Sequence, residues 1–366
     1  MEWFKEQGWE VHVAAAGEVV LPFVDQKYNL PINRSPLSGS NFQAYRQLKS
    51  IIDDNDYKII HCHTPVGGVL ARLAAKDARI TGTKVVYTAH GFHFCKGAPF
   101  PNWLIYYPIE KSLAKYTDCL VTINDEDYKL ALKHNFKANE IAHVHGVGVD
   151  IDRFKPINKN KKRELREALG YNPDGFFMFY AAEFNKNKNQ SLLIKALALI
   201  KDDTPSAKLL LAGEGRLLEQ CRGLALSLGV DKMVDFLGFR QDVDQLLSIS
   251  DIAVASSMRE GLPVNVMEAM SCGLPVIATE NRGHLELVVN HQNGYIVPRS
   301  DHQLLGKRIR DLYFSKQLLS TMGVESRKRI KTYSLKNVGL ELGKIYSSYM
   351  MEDHHETESK YYRANL

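Results

Sequence analysis

Short apolar runs alternate with longer amphipathic stretches along the first part of the chain. Runs of four to eight apolar residues between polar breaks are typical of buried strands. The first series of predicted strands covers residues 9–17, 58–63, 84–90, 119–124 and 141–148. Amphipathic stretches such as GGVLARLAAKDA lie between these runs and predict helices. Strands that alternate with helices indicate βαβ units and a parallel sheet.

The same pattern then starts again. A second series of predicted strands covers residues 176–183, 208–215, 233–239, 251–257, 275–280 and 294–298. Two successive series predict an α/β protein with two doubly wound, Rossmann-like domains and a cleft between them. We place the N-terminal domain at 1–153 and the C-terminal domain at 154–334. A helix at 335–352 is expected to pack back on the N-terminal domain, and the polar residues 353–366 are expected to form a flexible tail.

The beginning of the chain departs from this scheme. A doubly wound domain opens with a strand, a glycine-containing turn and a whole helix. Here MEWFKEQG reads as the second half of a helix, and the next strand follows at once. We therefore expect the first strand and its loop to be missing from the N-terminal domain.

Composition narrows the class of protein. A chain of 366 residues with 45% hydrophobic residues exceeds the usual size of a single core and suits two domains. The net charge of +5 is spread along the chain, which argues against a nucleic-acid-binding stripe. Five scattered cysteines without a CxxC motif indicate a reducing compartment. Without a long apolar run or a signal peptide, we expect a cytoplasmic protein, with possible peripheral contact at the inner membrane face.

Candidate chemistry is concentrated in the segment REGLPVNVMEAMSCGLPVIAT, residues 259–279. It follows a predicted strand, so its first residues form a loop where α/β sheets bind ligands. Pro263 suits the first turn of a helix that ends near Ser271, and Gly273 suits the left-handed position after it.

Two glutamates lie on either side of this predicted helix start. The backbone amides of Gly261 and Leu262 would be free to bind phosphate or developing negative charge. Glu260 precedes the helix and Glu268 lies inside it, so each can accept hydrogen bonds from hydroxyls on a different part of one extended ligand. A nucleotide sugar has this chemistry. The alternative is a pair of surface glutamates on a crossover helix.

The segment also fits a longer motif, E-G-x-P-x-x-x-x-E-A-x-x-x-G-x-P-V-I-A. In this it resembles the retaining nucleotide-sugar glycosyltransferases of family 4, which have the two-domain GT-B fold. Further segments that look like the bacterial capsule and exopolysaccharide branch of this family are HCHTPVGGVLARLAAK, VYTAHGFHF, YTDCLVTINDEDYKLA, HGVGVDIDRFKP and NRGHLELV.

The resemblance implies roles for individual residues. Glu268 would hold the ribose hydroxyls and Glu260 the transferred sugar, with the backbone of Gly261 and Leu262 near the sugar and its phosphates. Lys188, in AEFNKNKNQ, falls on the lysine that neutralises the diphosphate, although a solvated lysine at a helix start is the alternative.

One departure from the family pattern concerns the same stretch. Glu183 stands where many relatives have arginine, which leaves the diphosphate charge to Lys188, Lys186 or Asn185. Main-chain groups near Phe239 and Arg240 could receive the base, although a strand end with glycine is common.

His90 ends a strand and should face the cleft, where relatives use a histidine beside the donor sugar or acceptor. Domain closure is expected to bring His90 toward Glu260, while a merely structural, hydrogen-bonded histidine is the alternative.

The resemblance implies transfer of a sugar, from a UDP-hexose or UDP-N-acetylhexosamine, to a glycan or polyprenyl-diphosphate-linked acceptor. We expect no cofactor and no essential metal, because the scattered Asp-x-Asp matches and the histidine pairs at 61–63 and 90–93 form no convincing metal set. Two alternatives stay open: a UDP-sugar 2-epimerase of the same fold, and a truncated nucleotide-sugar-binding protein without turnover.

Overall fold

The computed structural model describes residues 1–18 and 20–363, with side chains up to residue 350. The chain separates into two compact units. The first comprises Met1–Val144 and the chain from Gly339 onward, and the second comprises His145–Val338.

The first unit is built around two parallel sheets, one with strand order β1-β2 and one with order β3-β4-β5-β6. Its strands are β1 (His12–Ala15), β2 (Gln26–Asn29), β3 (Ile59–His63), β4 (Lys84–Ala89), β5 (Cys119–Thr122) and β6 (Glu140–His143). Its helices before the second unit are α1 (Glu2–Glu6), α2 (Ser40–Asp53), α3 (Pro65–Ala74), α4 (Lys76–Ile80), α5 (Phe100–Leu113) and α6 (Asp125–Lys133). Strands β4 and β5 are almost wholly buried, as strands covered on both faces by helices must be.

The second unit contains one six-stranded parallel sheet. Its strands are β7 (Phe176–Ala181), β8 (Ala207–Ala212), β9 (Val234–Gly238), β10 (Ile252–Ala255), β11 (Val276–Thr279) and β12 (Gly294–Val297). Its helices are α7 (Lys159–Ala168), α8 (Gln190–Ile200), α9 (Leu218–Ser227), α10 (Val243–Ile249), α11 (Val264–Ser271), α12 (Arg282–Leu287), α13 (His302–Phe314) and α14 (Lys316–Ile330). The last helix, α15 (Leu335–Arg363), begins in the second unit and continues in the first.

The order of these six strands determines where a ligand can bind in the second unit. The sheet runs β12-β11-β10-β7-β8-β9, so the chain goes to one side of β7 first and to the other side afterwards. Such a reversal opens a crevice beyond the carboxyl ends of the two central strands. Those strands are β7 and β10, and the loops that leave them are residues 182–189 and 256–263.

Each predicted strand overlaps an observed strand, which is shorter, and β6 and β8 each begin one residue before their predicted runs at 141–148 and 208–215. The pattern missed β2, because QKYN is polar and only half-buried. Pro263 was expected inside the first helical turn, but it is the N-cap residue with an extended ψ of 116°, so α11 begins one position later. Gly273 has the predicted left-handed conformation, with φ of 73°.

The division between units falls after Val144, ahead of the predicted boundary at residue 153. The segment that follows packs within the second unit: Gly146 lies against Leu262, and Val149 pairs with Ser334. The expected tail at 353–366 starts within α15, and its residues 364–366 lie outside the described residues.

Candidate active site

Two loops from the central strands of the second unit are joined by an ion pair and several hydrogen bonds. Lys188 Nζ lies 2.6 Å from Glu260 Oε1, and the two side chains are 23% and 14% exposed. Beside this pair, Asn187 Nδ2 donates to the Arg259 carbonyl oxygen at 3.0 Å. The amide of Met258 donates to the Asn187 carbonyl oxygen at 2.7 Å. The crevice between β7 and β10 therefore has an ammonium on one side and a carboxylate on the other.

The backbone of Lys188 is held on both sides of its Cα. Its amide donates to Asn185 Oδ1 at 3.0 Å, and its carbonyl oxygen accepts from Ser256 Oγ at 2.7 Å. Asn189 then takes a left-handed conformation, with φ of 50°, before α8 begins. Asn185 was predicted to bind the nucleotide sugar. Its side-chain oxygen accepts from the Lys188 amide, so Nδ2 is the side-chain group that can donate a hydrogen bond to a phosphate.

The start of α11 presents backbone donors at the same crevice. Within the described part of the chain, the amides of Gly261, Leu262 and Val264 donate to no other group. The side chain of Leu262 is buried at 7% exposure, and a Cβ on Gly146 would lie 2.7 Å from its Cδ2. Asn265 Nδ2 donates to the Ala181 carbonyl oxygen at 2.9 Å, which ties this helix to the end of β7. The predicted amide-rich helix start is thus present and rigidly anchored.

The segment after β11 supports the loop that carries Glu260. A Cβ added to Gly283 would lie 2.9 Å from the Gly261 carbonyl oxygen and 2.9 Å from Pro263 Cδ. Arg282 Nε donates to the Glu260 carbonyl oxygen at 3.1 Å. Only glycine allows this close approach of α12 to the loop.

Glu268 lies further along α11 and is half-buried. Burial raises its pKa from 4.5 to about 7, while the positive charge of Arg153 lowers it and the negative charge of Asp244 raises it. Arg153 instead donates to Asp244 Oδ1 at 3.1 Å. Among the described residues, the Glu268 carboxyl has no hydrogen bond or ion pair, so its oxygens can accept from ligand hydroxyls.

His284 lies in the segment NRGHLELV, for which the sequence predicted family resemblance but no individual role. It is fully buried in α12, and its Nδ1 lies 2.7 Å from the Thr279 carbonyl oxygen. Burial lowers its pKa to about 4, with Glu260 raising it and Lys188 lowering it. Its Nε2 has no partner in the described part of the chain. A neutral imidazole therefore lies within electrostatic range of the ion pair, and no local periodicity could have revealed its burial.

His90 belongs to the first unit, directly after β4. Its Nε2 lies 3.1 Å from Nδ1 of His63. His63 is the last residue of β3, which pairs with β4, so both rings lie at the same edge of the sheet. Burial lowers the pKa of His90, and burial together with His90 lowers that of His63 to about 4. When both rings are neutral, only one of the two facing nitrogens carries the proton of this hydrogen bond, so the tautomer of one ring determines that of the other. The sequence predicted a role in the site for His90, whereas His63 was considered only as part of the histidine pair at 61–63 that forms no convincing metal set.

Phe239 and Arg240 follow β9, and in the described part of the chain their side chains form no hydrogen bond or ion pair with Lys188 or Glu260. The Phe239 side chain is 72% exposed, and Arg240 Nε donates to Asp242 Oδ1 at 2.7 Å. This pairing occupies the guanidinium, so contact with a base through main-chain groups stays a prediction.

Other features bear on partners and metals. No helix in the described part of the chain has the length and apolar character to cross a bilayer. Residues 1–18 and 20–363 contain no cluster of three or more His, Cys, Asp or Glu side chains arranged to hold a metal ion. Independence from metal stays a prediction that activity measurements must test.

A family model described as "Glycosyl transferases group 1" matches residues 161–336, and one described as "Glycosyl transferase 4-like" matches residues 1–124. EpsD of Bacillus subtilis, named as a glycosyltransferase, is 49% identical over 96% of this chain and 92% of its own length. The UDP-Gal:alpha-D-GlcNAc-diphosphoundecaprenol alpha-1,3-galactosyltransferase of Escherichia coli is 29% identical over 73% of this chain and 70% of its own.

Solved structures show the same architecture. The crystal structure of HepE from Anabaena in complex with UDP superposes with a TM-score of 0.75, at 18% identity, over 93% of this chain and all of that one. The predicted α/β fold with two Rossmann-like domains is confirmed.

Proposed function

Because the chain belongs to the group 1 family of glycosyltransferases, the family 4 enzymes of the GT-B fold, we propose that it transfers a sugar from a UDP-sugar to a lipid-linked glycan. Membership confirms the predicted family and the prediction that the chain is a nucleotide-sugar glycosyltransferase. The finer proposal is transfer of a hexose or N-acetylhexosamine, with retained anomeric configuration, in capsule, exopolysaccharide or lipopolysaccharide biosynthesis. The E. coli relative, whose name specifies a diphosphoundecaprenol acceptor, supports this acceptor class.

The ion pair between Lys188 and Glu260 is the observation that carries the proposal. It places a cation and an anion 2.6 Å apart at the crevice where the strand order reverses. A diphosphate entering this crevice competes for the ammonium, because two phosphates carry more negative charge than one carboxylate. Glu260, released from Lys188, then accepts a hydrogen bond from a hydroxyl of the transferred sugar.

The chemistry follows from these positions. The bond between the anomeric carbon and the diphosphate breaks, the acceptor oxygen bonds to that carbon, and the acceptor proton passes to the departing diphosphate. Lys188 and the amides of Gly261 and Leu262 stabilise the charge that develops on the leaving group, and one such contact is typically worth 10²–10³ in rate. Asn185 Nδ2 adds a further donor.

The nucleoside end of the donor lies toward Glu268 in this proposal. The Glu268 carboxylate accepts from the ribose hydroxyls, and main-chain groups near Phe239 and Arg240 receive the uracil. His90 acts in the first unit, beside the donor sugar or the acceptor. We place the reaction at the inner face of the cytoplasmic membrane, with no cofactor and no essential metal.

The test is a turnover assay with UDP-sugars, in the presence and absence of a polyprenyl-diphosphate-linked glycan. We expect UDP release only when acceptor is present. The anomeric configuration of the product, determined by NMR, should be the same as that of the donor sugar. Lys188→Ala should lower kcat by about 10²–10³, and Glu260→Gln should lower kcat more than it changes the KM for donor. Lys195→Ala is the matched control, since Lys195 is an exposed lysine of the neighbouring helix α8.

Three results would contradict the proposal. UDP release without acceptor, with epimerised sugar, indicates a 2-epimerase. Donor binding without release indicates a binding protein. Equal losses in Lys188→Ala and Lys195→Ala would place the diphosphate elsewhere.

A further inference from the structure

Helix α5 in the first unit has an apolar face toward solvent. Its large exposed side chains are Phe100 at 75%, Leu104 at 67%, Ile105 at 52% and Ile109 at 40% exposure. At 100° per residue these four positions fall on one half of the helix, together with the two prolines at 101 and 108. A helix on the surface of a water-soluble domain normally has polar residues there. On α5 the first polar residue on that half is Lys111.

The opposite half of α5 already accounts for the packing of this helix. The Trp103 and Tyr107 rings lie 5.6 Å and 5.4 Å from the ring of buried Phe94. Glu110 is buried and accepts from Arg72 Nη2 at 2.8 Å and from Tyr87 Oη at 3.0 Å. The outward apolar side chains therefore lie outside the core of the unit. Their contact with water is unfavourable, and no packing within the unit explains it.

Within residues 96–116 the exposed charges have one sign, while Glu126 of α6 accepts from the Lys96 amide at 3.1 Å. In the segment 96–116 the exposed ionic side chains are Lys96, Lys111 and Lys115, and the single acidic residue, Glu110, is neutralised by Arg72. Lys111 Nζ lies 3.1 Å from Tyr107 Oη, and Lys115 Nζ lies over the Tyr116 ring at 4.9 Å. Aliphatic side chains flanked by lysines and aromatic rings are typical of helices that lie in a membrane interface.

We propose that the outward face of α5, defined by Phe100, Leu104, Ile105 and Ile109, docks the first unit on an anionic lipid bilayer. This inference rests on the proposed function, in which the acceptor is lipid-linked and thus presented at a membrane. A second copy of the chain fits this face poorly, since self-association through a two-fold axis brings the same lysines toward each other. An anionic bilayer complements them.

The binding experiment uses the full chain and flotation with two kinds of vesicle, pure phosphatidylcholine and phosphatidylcholine with about 30% phosphatidylglycerol. We expect binding to the anionic vesicles. Replacing both Leu104→Glu and Ile105→Glu should lower the partition coefficient by more than tenfold. Lys111→Gln should lower it about fivefold on anionic vesicles, since one basic residue near the surface contributes about 1 kcal/mol, and leave binding to neutral vesicles unchanged.

Leu226→Glu is the matched control, because Leu226 is 68% exposed on α9 of the second unit. Thermal unfolding of each variant checks that the exposed substitutions leave the fold intact. The inference is overturned if wild type stays with the unbound fraction on both vesicles, or if Leu226→Glu lowers flotation as much as the α5 double substitution. A dimer in light scattering that the double substitution abolishes would assign the face to self-association instead.

The failure of this inference can be distinguished from the failure of the proposed function. With a short-chain, water-soluble acceptor, the α5 double substitution should retain wild-type kcat. With the polyprenyl-linked acceptor in anionic vesicles, its rate should fall with its binding. Loss of turnover on both acceptors would contradict a docking role for this face. If the wild type transferred sugar to neither acceptor, the proposed function would be refuted, but the flotation result would still support membrane binding by α5.

Discussion

Replacing Glu268 with glutamine should stabilise the protein and weaken its binding of UDP. Burial raises the pKa of Glu268 from 4.5 to about 7. Because the folded carboxyl holds its proton more tightly than the unfolded one, the folded state binds more protons between these two values. The free energy of unfolding therefore falls as pH rises from about 4.5 to 7, and the loss is complete above about 7.

The size of this effect follows from the same pKa values. A pKa difference of one corresponds to 1.36 kcal/mol, so the rise from 4.5 to about 7 means that keeping the carboxylate ionised in the folded chain costs about 3 kcal/mol at pH 8. Glutamine has the same shape without the charge. For a unit the size of residues 145–338, about 2–4 °C per kcal/mol predicts that Glu268→Gln unfolds about 6–12 °C higher than wild type at pH 8. At pH 4 the two should unfold at nearly the same temperature.

The assay is thermal unfolding across this pH range, followed by circular dichroism, without nucleotide. Glu167→Gln, an exposed glutamate on α7, is the control and should leave the pH dependence unchanged. Calorimetric titration with UDP at pH 8 should show that Glu268→Gln binds about 10- to 100-fold more weakly, since hydrogen bonds to a charged acceptor are worth about 1.5–3 kcal/mol. The reasoning would be refuted if the difference in unfolding temperature between wild type and Glu268→Gln were the same at every pH. Unchanged UDP affinity would refute it as well.

Two further predictions concern residues that position the site. Gly283→Ala should lower kcat at least tenfold and destabilise the protein by about 1–3 kcal/mol, because its Cβ must displace the loop of Gly261. Gly223→Ala in α9 is the control and should keep full activity, because a Cβ there meets nothing within 4 Å. Equal losses of kcat and stability in the two variants would contradict this explanation. His63→Asn should lower kcat about tenfold by releasing the His90 ring, and alter the acid limb of its pH profile, while UDP affinity stays at the wild-type value. An unchanged profile would show that His63 does not act through His90.

Local patterns were sufficient for many elements of the fold and for the main motif. The apolar runs located the strands, and Gly273 identified the end of α11, because hydrophobic period and left-handed backbone are properties of a few adjacent residues. β2 was not predicted, because its residues QKYN are not apolar and do not alternate between apolar and polar positions. The position of Pro263 was off by one residue, since proline fits both the N-cap and the first helical turn.

The sequence by itself determined the alternation of strands and helices, the two repeated series, and the spacing of Glu260, Gly261 and Glu268. These features depend on neighbours within a turn or a strand. Only the tertiary structure decided that Lys188 meets Glu260, 72 residues away, because their approach requires β7 and β10 to be adjacent in the sheet. It also decided the raised pKa of Glu268 and the buried, neutral state of His284. Burial and charge pairing are set by the order in which strands assemble, and no local stretch of sequence encodes that order.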